Sequence, residues 1–184
     1  MQLTDFLFLF ALLPAALICA ALTGNRPHAR NALLLAMSVL FCAASGLPGL
    51  LAAAIEILAA FFFGRALERA GEPKRRKCIL ALGIVFAAGL LCYFKYTNFL
   101  LGALSLPTVS LLPAPLGVSF LTFLLISYLA DVYRGEIPAE RRFDRFLLYA
   151  FFFPKAAQGP LCRYGEFSAQ LDTRTVTADG LNAG

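Results

Sequence analysis

Apolar residues fall in long runs along this chain, and the polar ones collect in short clusters between them. Met1 to Leu22 is apolar apart from Asp5 near its start, with Pro14 inside the run. Ala32 to Ala44 is a second run, short for a straight crossing, which takes about 20 apolar residues. Ser45-Gly46-Leu47-Pro48-Gly49 reads as a turn, after which Leu50 to Gly64 is apolar except for Glu56. These two segments form either a tight pair of short helices or one interrupted element. Cys78 to Phe94 is a clear span, running into Lys95-Tyr96-Thr97-Asn98 and a looser stretch with Pro107, Pro113 and Pro115. From Pro115 a long apolar helix is expected, carrying Gly117, Ser119, Thr122 and Ser127 and ending in Asp131-Val132-Tyr133-Arg134-Gly135. The shorter apolar segment after it is broken by Pro154, Gly159 and Pro160. Non-helical backbone at membrane depth persists only where protein buries it or a wet cavity accepts it, so the break predicts a walled interior.

The polar clusters alternate in charge. Thr23 to Asn31 carries Arg26, His28 and Arg30, whereas the turn at Ser45 is neutral. The stretch from Arg65 to Lys77 is strongly basic and reads as a loop broken by Gly71 and Pro73, and the region after Tyr96 is uncharged as far as Asp131. Arg134 to Arg145 is basic again. Alternation of this kind is the positive-inside pattern, with basic loops in the cytoplasm and the amino terminus outside. Met-Gln-Leu-Thr-Asp offers no basic n-region, so the first run reads as a retained membrane helix and not a cleaved signal. The fold expected is all-α: a polytopic transmembrane helical bundle of about six apolar segments with a broken or re-entrant helix. It occupies residues 1–167, and residues 168–184 form a polar tail.

Composition agrees. The 184 residues are 60% hydrophobic and 15% charged. Globular chains average about 45–50% apolar and about 25% charged, so a soluble domain is excluded. A net charge of +5 would suit nucleic acid. Here the charge sits in short loops between spans, which assigns it to the lipid bilayer and argues against nucleic acid. Five cysteines (Cys19, Cys42, Cys78, Cys92, Cys162) contain no CxxC pair and indicate neither a disulfide framework nor a metal site. Cys78 stands beside the basic run, where lipidation is a position-based alternative to a plain small apolar residue.

Few residues could carry chemistry. His28, the single histidine, lies in a basic cluster and reads as a bystander. Glu56 is a carboxylate inside an apolar run, where a charge costs about 2.5–3.5 kcal/mol. It either faces the bundle interior or a cavity, or is protonated and hydrogen-bonded in the bundle or near an interface. Lys95 with its aromatics fits an interfacial anchor, an account that leaves Asn98 unexplained. Asp131 and Arg134, three apart, either pair across one turn or form a solvated helix cap. Around Gly159-Pro160, Gln158 and Arg163 either satisfy freed carbonyls or line a polar pocket, and the pocket is favoured. No Ser/His/Asp set, metal cluster or phosphate loop is visible.

The stretches PLGVSFLTF, ISYLADVYRGEIPAER and FFFPKAAQGPLCRYGEF resemble the membrane-bound O-acyltransferase (MBOAT) family, closest to its alginate O-acetyltransferase-like branch. YFKYTNF and FLFLFALLPA resemble that branch too, so the likeness covers nearly the whole chain and is strongest from Tyr93 to Phe167. It implies a multipass helical fold around a funnel and transfer of an acyl group, acetyl in this branch, to hydroxyls of an exported polysaccharide. The donor would be an activated acyl group such as acetyl-CoA, used as substrate with no bound cofactor, and a periplasmic acetyltransferase is the implied partner. The implied location is the cell membrane, the inner one in a Gram-negative cell. Pro115, Gly117, Ser119, Phe120, Thr122 and Phe123 match the helix motif. Asp131, Tyr133, Arg134 and Gly135 match the helix end, and Phe153, Pro154, Gly159, Pro160, Arg163 and Tyr164 match the broken helix. Lys95, Asn98, Ser119, Thr122, Gln158 and Arg163 are the candidates for substrate or tunnel contacts. Two departures stand out. The family's histidine lies on a later helix that no residue here represents, and SVLFCAASGLPGLL lacks the Tyr and Trp common in relatives. The chain is therefore expected to be an amino-terminal portion with no catalytic residue of its own, inactive alone. The rival readings are a non-catalytic scaffold of a polysaccharide-modifying complex and a transport subunit, since broken helices and membrane carboxylates also mark substrate pathways.

Overall fold

A computed structural model of the chain describes residues 27–43, 46–104, 107, 117–152 and 163–173. Every regular element in these residues is an α-helix, as the apolar runs predict. The helices are α1 (Pro27–Ala43), α2 (Leu47–Arg69), α3 (Pro73–Ala103), α4 (Val118–Arg134), α5 (Phe143–Phe151) and α6 (Tyr164–Thr173). The first run Met1–Leu22, Pro115 and the expected break with Pro154, Gln158, Gly159 and Pro160 lie outside the described residues.

Among the described residues two helices are long and apolar enough to cross a bilayer, α2 with 23 residues and α3 with 31. At about 1.5 Å rise per residue they reach ~34 and ~46 Å, against a hydrocarbon core of ~30 Å. The two expected segments on either side of the turn resolve into separate helices, α1 as far as Ala43 and α2 from Leu47. Gly46 takes φ +93°, a conformation that L side chains rarely adopt, and α2 starts directly after it with Pro48 in its first turn. The turn expected over Ser45–Gly49 therefore contracts towards Gly46.

Two expected loops are largely helical, and one helix runs on past its expected end. The cluster Thr23–Asn31 is helix from Pro27 onwards, because proline at a first helical position has its φ already set and its missing N–H would be unpaired anyway. The basic stretch Arg65–Lys77 narrows to Ala70–Glu72. Arg, Lys and Glu are good helix formers, and buried Leu67 continues the inward stripe of α2 to its end. Likewise α3 continues through Lys95-Tyr96-Thr97-Asn98 to Ala103. Nothing in that tetrapeptide breaks a helix, and the Thr97 hydroxyl turns back to donate to the Tyr93 carbonyl at 2.8 Å.

The short link makes α2 and α3 an antiparallel hairpin, and α4 lies against both. Small residues permit the approach. A methyl group on Gly64 of α2 would meet the Tyr128 ring of α4, and one on Gly83 of α3 would meet Leu129. Helix α1 packs on α5 and α2. The core gathers Ile57 and Leu67 of α2, Leu124, Leu125, Tyr128 and Leu129 of α4, and Phe146, Leu148 and Tyr149 of α5. Residue 167, the expected edge of the membrane region, falls inside α6, whose Leu171 is still buried. By contrast α3 leaves Leu82, Val85 and Phe99 open on its outer face.

Candidate functional site

The amino-terminal half of α4 carries the hydroxyl residues of the PLGVSFLTF stretch. Gly117, at φ +67°, caps the helix, and its carbonyl accepts the Leu121 N–H at 2.9 Å. Ser119 and Thr122 follow three residues apart, within reach of both long helices. Thr122, fully buried, donates its hydroxyl to Glu56 Oε1 of α2 at 2.7 Å. Glu56 is 1% exposed, and its second oxygen, Oε2, has no hydrogen-bond partner among the described residues. One turn earlier, Lys95 Nζ of α3 donates to Ser119 Oγ at 3.4 Å on an exposed surface.

Four candidates read from the sequence thus meet along one stretch of α4, two deep and two shallow. Glu56 stands ~20 Å along α2 from Arg69, inside the apolar zone. It faces the bundle interior, and one hydrogen bond meets only part of the cost of burying it. Asn98 sits exposed on the same helix as Lys95.

The other end of α4 builds a polar cluster. Gly135, at φ +77°, ends the helix: its N–H donates to the Val132 carbonyl, and the Glu136 N–H donates to that of Asp131. This reversed pairing is the glycine-terminated C-cap. Asp131 is 4% exposed, which corrects the solvated-cap reading; Arg134 is exposed and lies 3.7 Å from Glu136 instead. Arg163 is also exposed and approaches Glu136 at 3.4 Å. Arg76 of α3 reaches across, donating Nη2 to the carbonyls of Val132 (3.2 Å) and Tyr133 (2.7 Å) and lying over the Tyr133 ring. It thereby gives the Tyr133 carbonyl at the helix end a donor and adds a second one to the Val132 carbonyl.

Glu140 was not among the candidates, yet it is the hub of this end. Its Oε1 accepts the N–H groups of Arg141 and Arg142 at 2.7 Å each, and its Oε2 accepts the Tyr164 hydroxyl. Its own N–H donates to the Tyr128 hydroxyl at 3.0 Å. Burial first, then the hydrogen bond to Glu140 and its charge, push the Tyr164 hydroxyl well above the usual tyrosine range. The sequence holds no helix-start signal at Glu140, because it lies two residues before the N-cap Arg142 and accepts the Arg141 and Arg142 N–H groups ahead of the helix. On the rim, Arg142 pairs with Asp144 at 2.7 Å and, mainly by that hydrogen bond, holds its carboxyl below the usual range.

Two grooves open at this polar end. One, of about 590 Å³, lies between α2 and α3 and is lined by Arg65, Arg69 and Arg75 with Phe62 and Ile79. The other, of about 570 Å³, has Glu140 and Tyr164 in its wall and Arg141, Arg142 and Arg145 around it. Among the described residues no group of histidine, cysteine, aspartate and glutamate could hold a metal ion. Cys78 and Cys92 are free and exposed.

Comparison with known proteins bears out the resemblance carried by the motifs. The chain is 34% identical over 196 residues to a probable alginate O-acetylase AlgI of Pseudomonas putida, a match covering 100% of this chain and 40% of that protein. The corresponding Pseudomonas aeruginosa protein is 34% identical over 97% of this chain and 36% of its own length. A peptidoglycan O-acetyltransferase of Helicobacter pylori is 25% identical over 90% of this chain and 37% of its own. No family model and no solved structure matches. The chain spans about two fifths of the length of the first relatives it matches, 40% and 36%.

Proposed function

We propose that this chain, which resembles the alginate O-acetylase branch of the membrane-bound O-acyltransferases along its whole length, forms part of a membrane enzyme that acetylates hydroxyls of an exported polysaccharide. The observation that carries the reading is the match of 97–100% of the chain to proteins named as alginate O-acetylases. A second relative named for O-acetylation of peptidoglycan points to the same chemistry on another glycan.

Acetyl transfer from a thioester such as acetyl-CoA to a hydroxyl forms an ester C–O bond and breaks the C–S bond. The hydroxyl proton passes to a base, and a proton returns to the departing thiolate. In this reading the chain supplies the wall of the path and not that base. Helices α2, α3 and α4 form a three-helix wall, with Ser119 at its surface beside Lys95 and with Thr122 and Glu56 buried inside it. His28 starts α1, a whole helix away in sequence from this wall. The basic end would face the cytoplasm, where an anionic donor arrives, and the amino terminus would lie outside.

The test is made in the native host. Base-labile acetate on the exported polysaccharide is measured with the gene intact, deleted and restored, while an amino-terminal tag reports the length of the mature product. Deletion should abolish the acetate and restoration should return it, and the purified 184-residue chain should transfer no label from radiolabelled acetyl-CoA. Unchanged acetate after deletion would overturn the reading.

A further inference from the structure

The groove between α2 and α3 is not used by the proposed chemistry, and its lining is unusual. Arg65 and Arg69 stand one turn apart on α2, and Arg75 enters from the first turn of α3. Among the described residues none of the three is in an ion pair. Arg65 lies 5.8 Å from the centroid of the Phe61 ring. Glu68 and Glu72 belong to the same hairpin but do not line the groove.

Arg76 and Arg142, two other cations at this end, are engaged. Arg76, adjacent to Arg75, is spent on the carbonyls of Val132 and Tyr133. In the second groove Arg142 is neutralised by Asp144, and the Glu140 carboxylate is itself in the wall. Of the two grooves described, the α2–α3 one presents three guanidinium groups with no carboxylate in its lining. Guanidinium forks suit phosphate oxygens, which accept their N–H groups in pairs.

The rest of the lining is apolar. Phe62 is 60% exposed and lies one turn deeper along α2 than Ala66, while Ile79 faces it from α3. The groove therefore runs from a cationic mouth to an apolar wall, between the two helices long enough to cross a bilayer. A free phosphate would use the mouth and leave the wall idle. A phospholipid uses both, with its phosphate among the arginines and the start of an acyl chain against Phe62 and Ile79.

We propose that the Arg65–Arg69–Arg75 groove is a binding site for one anionic phospholipid, held by its headgroup phosphate and net negative charge. This inference does not depend on the acetyltransferase reading. It is tested by native mass spectrometry of the full chain in detergent, titrated with phosphatidylglycerol or with phosphatidylcholine of the same acyl chains. The first should bind as a saturable single adduct at least tenfold more tightly than the second.

A basic residue near an anionic surface contributes roughly a fivefold change in binding, so R65Q/R69Q/R75Q should weaken phosphatidylglycerol on the order of a hundredfold. K74Q/K77Q, which removes exposed charge from the same hairpin outside the groove, should change it by less than about fivefold. The single variant R75Q, with unchanged helix content by circular dichroism, should fall between them. Equal loss in the lysine variant, or equal binding of the two lipids, overturns the proposal. Displacement of the adduct by millimolar inorganic phosphate also overturns it, because the site would then be a free-phosphate site.

Discussion

Replacing Gly64 with alanine puts the packing of α4 to a quantitative test. A Cβ built there stands 2.7 Å from Tyr128 Cε1, 2.8 Å from the hydroxyl oxygen and 3.1 Å from Cζ. Relief to ordinary carbon contact near 3.5 Å requires the ring to move by ~0.8 Å. The ring is poorly placed to move. Its hydroxyl accepts the Glu140 N–H, Phe146 lies 4.6 Å from it centroid to centroid, and Tyr164 packs edge-on at 5.3 Å. Overpacking of this kind costs about 1–3 kcal/mol, and loss of the hydroxyl contact adds about 1 kcal/mol. Alanine returns about 1 kcal/mol of helix propensity, so the net loss should be about 1–3 kcal/mol. Gly89, with open space around its Cβ, provides the matched control: G89A keeps the propensity gain and should be neutral to stabilising. Reversible unfolding in mixed micelles, followed by far-UV circular dichroism, measures both. In a Y128A background the G64A penalty should vanish. If G64A is as stable as G89A, or if its penalty persists without the tyrosine ring, the contact between α2 and α4 is not as described.

Two further outcomes follow from the polar end. Arg76→Lys keeps the charge but loses the planar guanidinium that lies over Tyr133 and sets Nη2 between two carbonyls, and should destabilise the bundle by about 1–2 kcal/mol in the same assay, close to the loss for Arg76→Gln; a silent lysine variant would show that charge alone is needed. Tyr164, raised in the folded state above the ordinary value near 10, contributes stability that is present below about pH 10 and declines as the pH climbs towards its folded value. Tyr164→Phe should flatten the fall in stability between about pH 10 and 11, and an unchanged slope would assign that fall to other groups.

The bundle was legible in the sequence because apolar run length reports directly on membrane crossing, and α2 and α3 contain the two runs that satisfy it. Gly135 was legible as a terminus, since αL backbone at a helix end selects glycine. Loop extent was not. Composition marks Arg65–Lys77 as polar, but polarity says where water is and not where the hydrogen-bond ladder stops. Ser119, Thr122, Glu56 and Lys95 were each legible as odd residues in apolar surroundings. Their meeting was not, because Glu56 and Thr122 are 66 positions apart and join only once α4 settles against the hairpin. Asp131 escaped for the opposite reason: a charged residue beside a turn suggests solvent, and here the fold closes over it.

The length of α3 sets a scale for the membrane around it. From Lys77 to Lys95 the helix rises ~27 Å, close to the thickness of a hydrocarbon core, and both lysines are exposed. Tyr93 and Tyr96 flank the second one, as aromatic residues do at headgroup level. The eight residues beyond Lys95 in α3 extend ~12 Å further along the helix axis. A helix gauged between two such marks has little reason to tilt in a bilayer of ordinary thickness. In a thicker one the lysines would be drawn below the headgroups, so the same feature that anchors the bundle also selects the membrane in which it sits without strain.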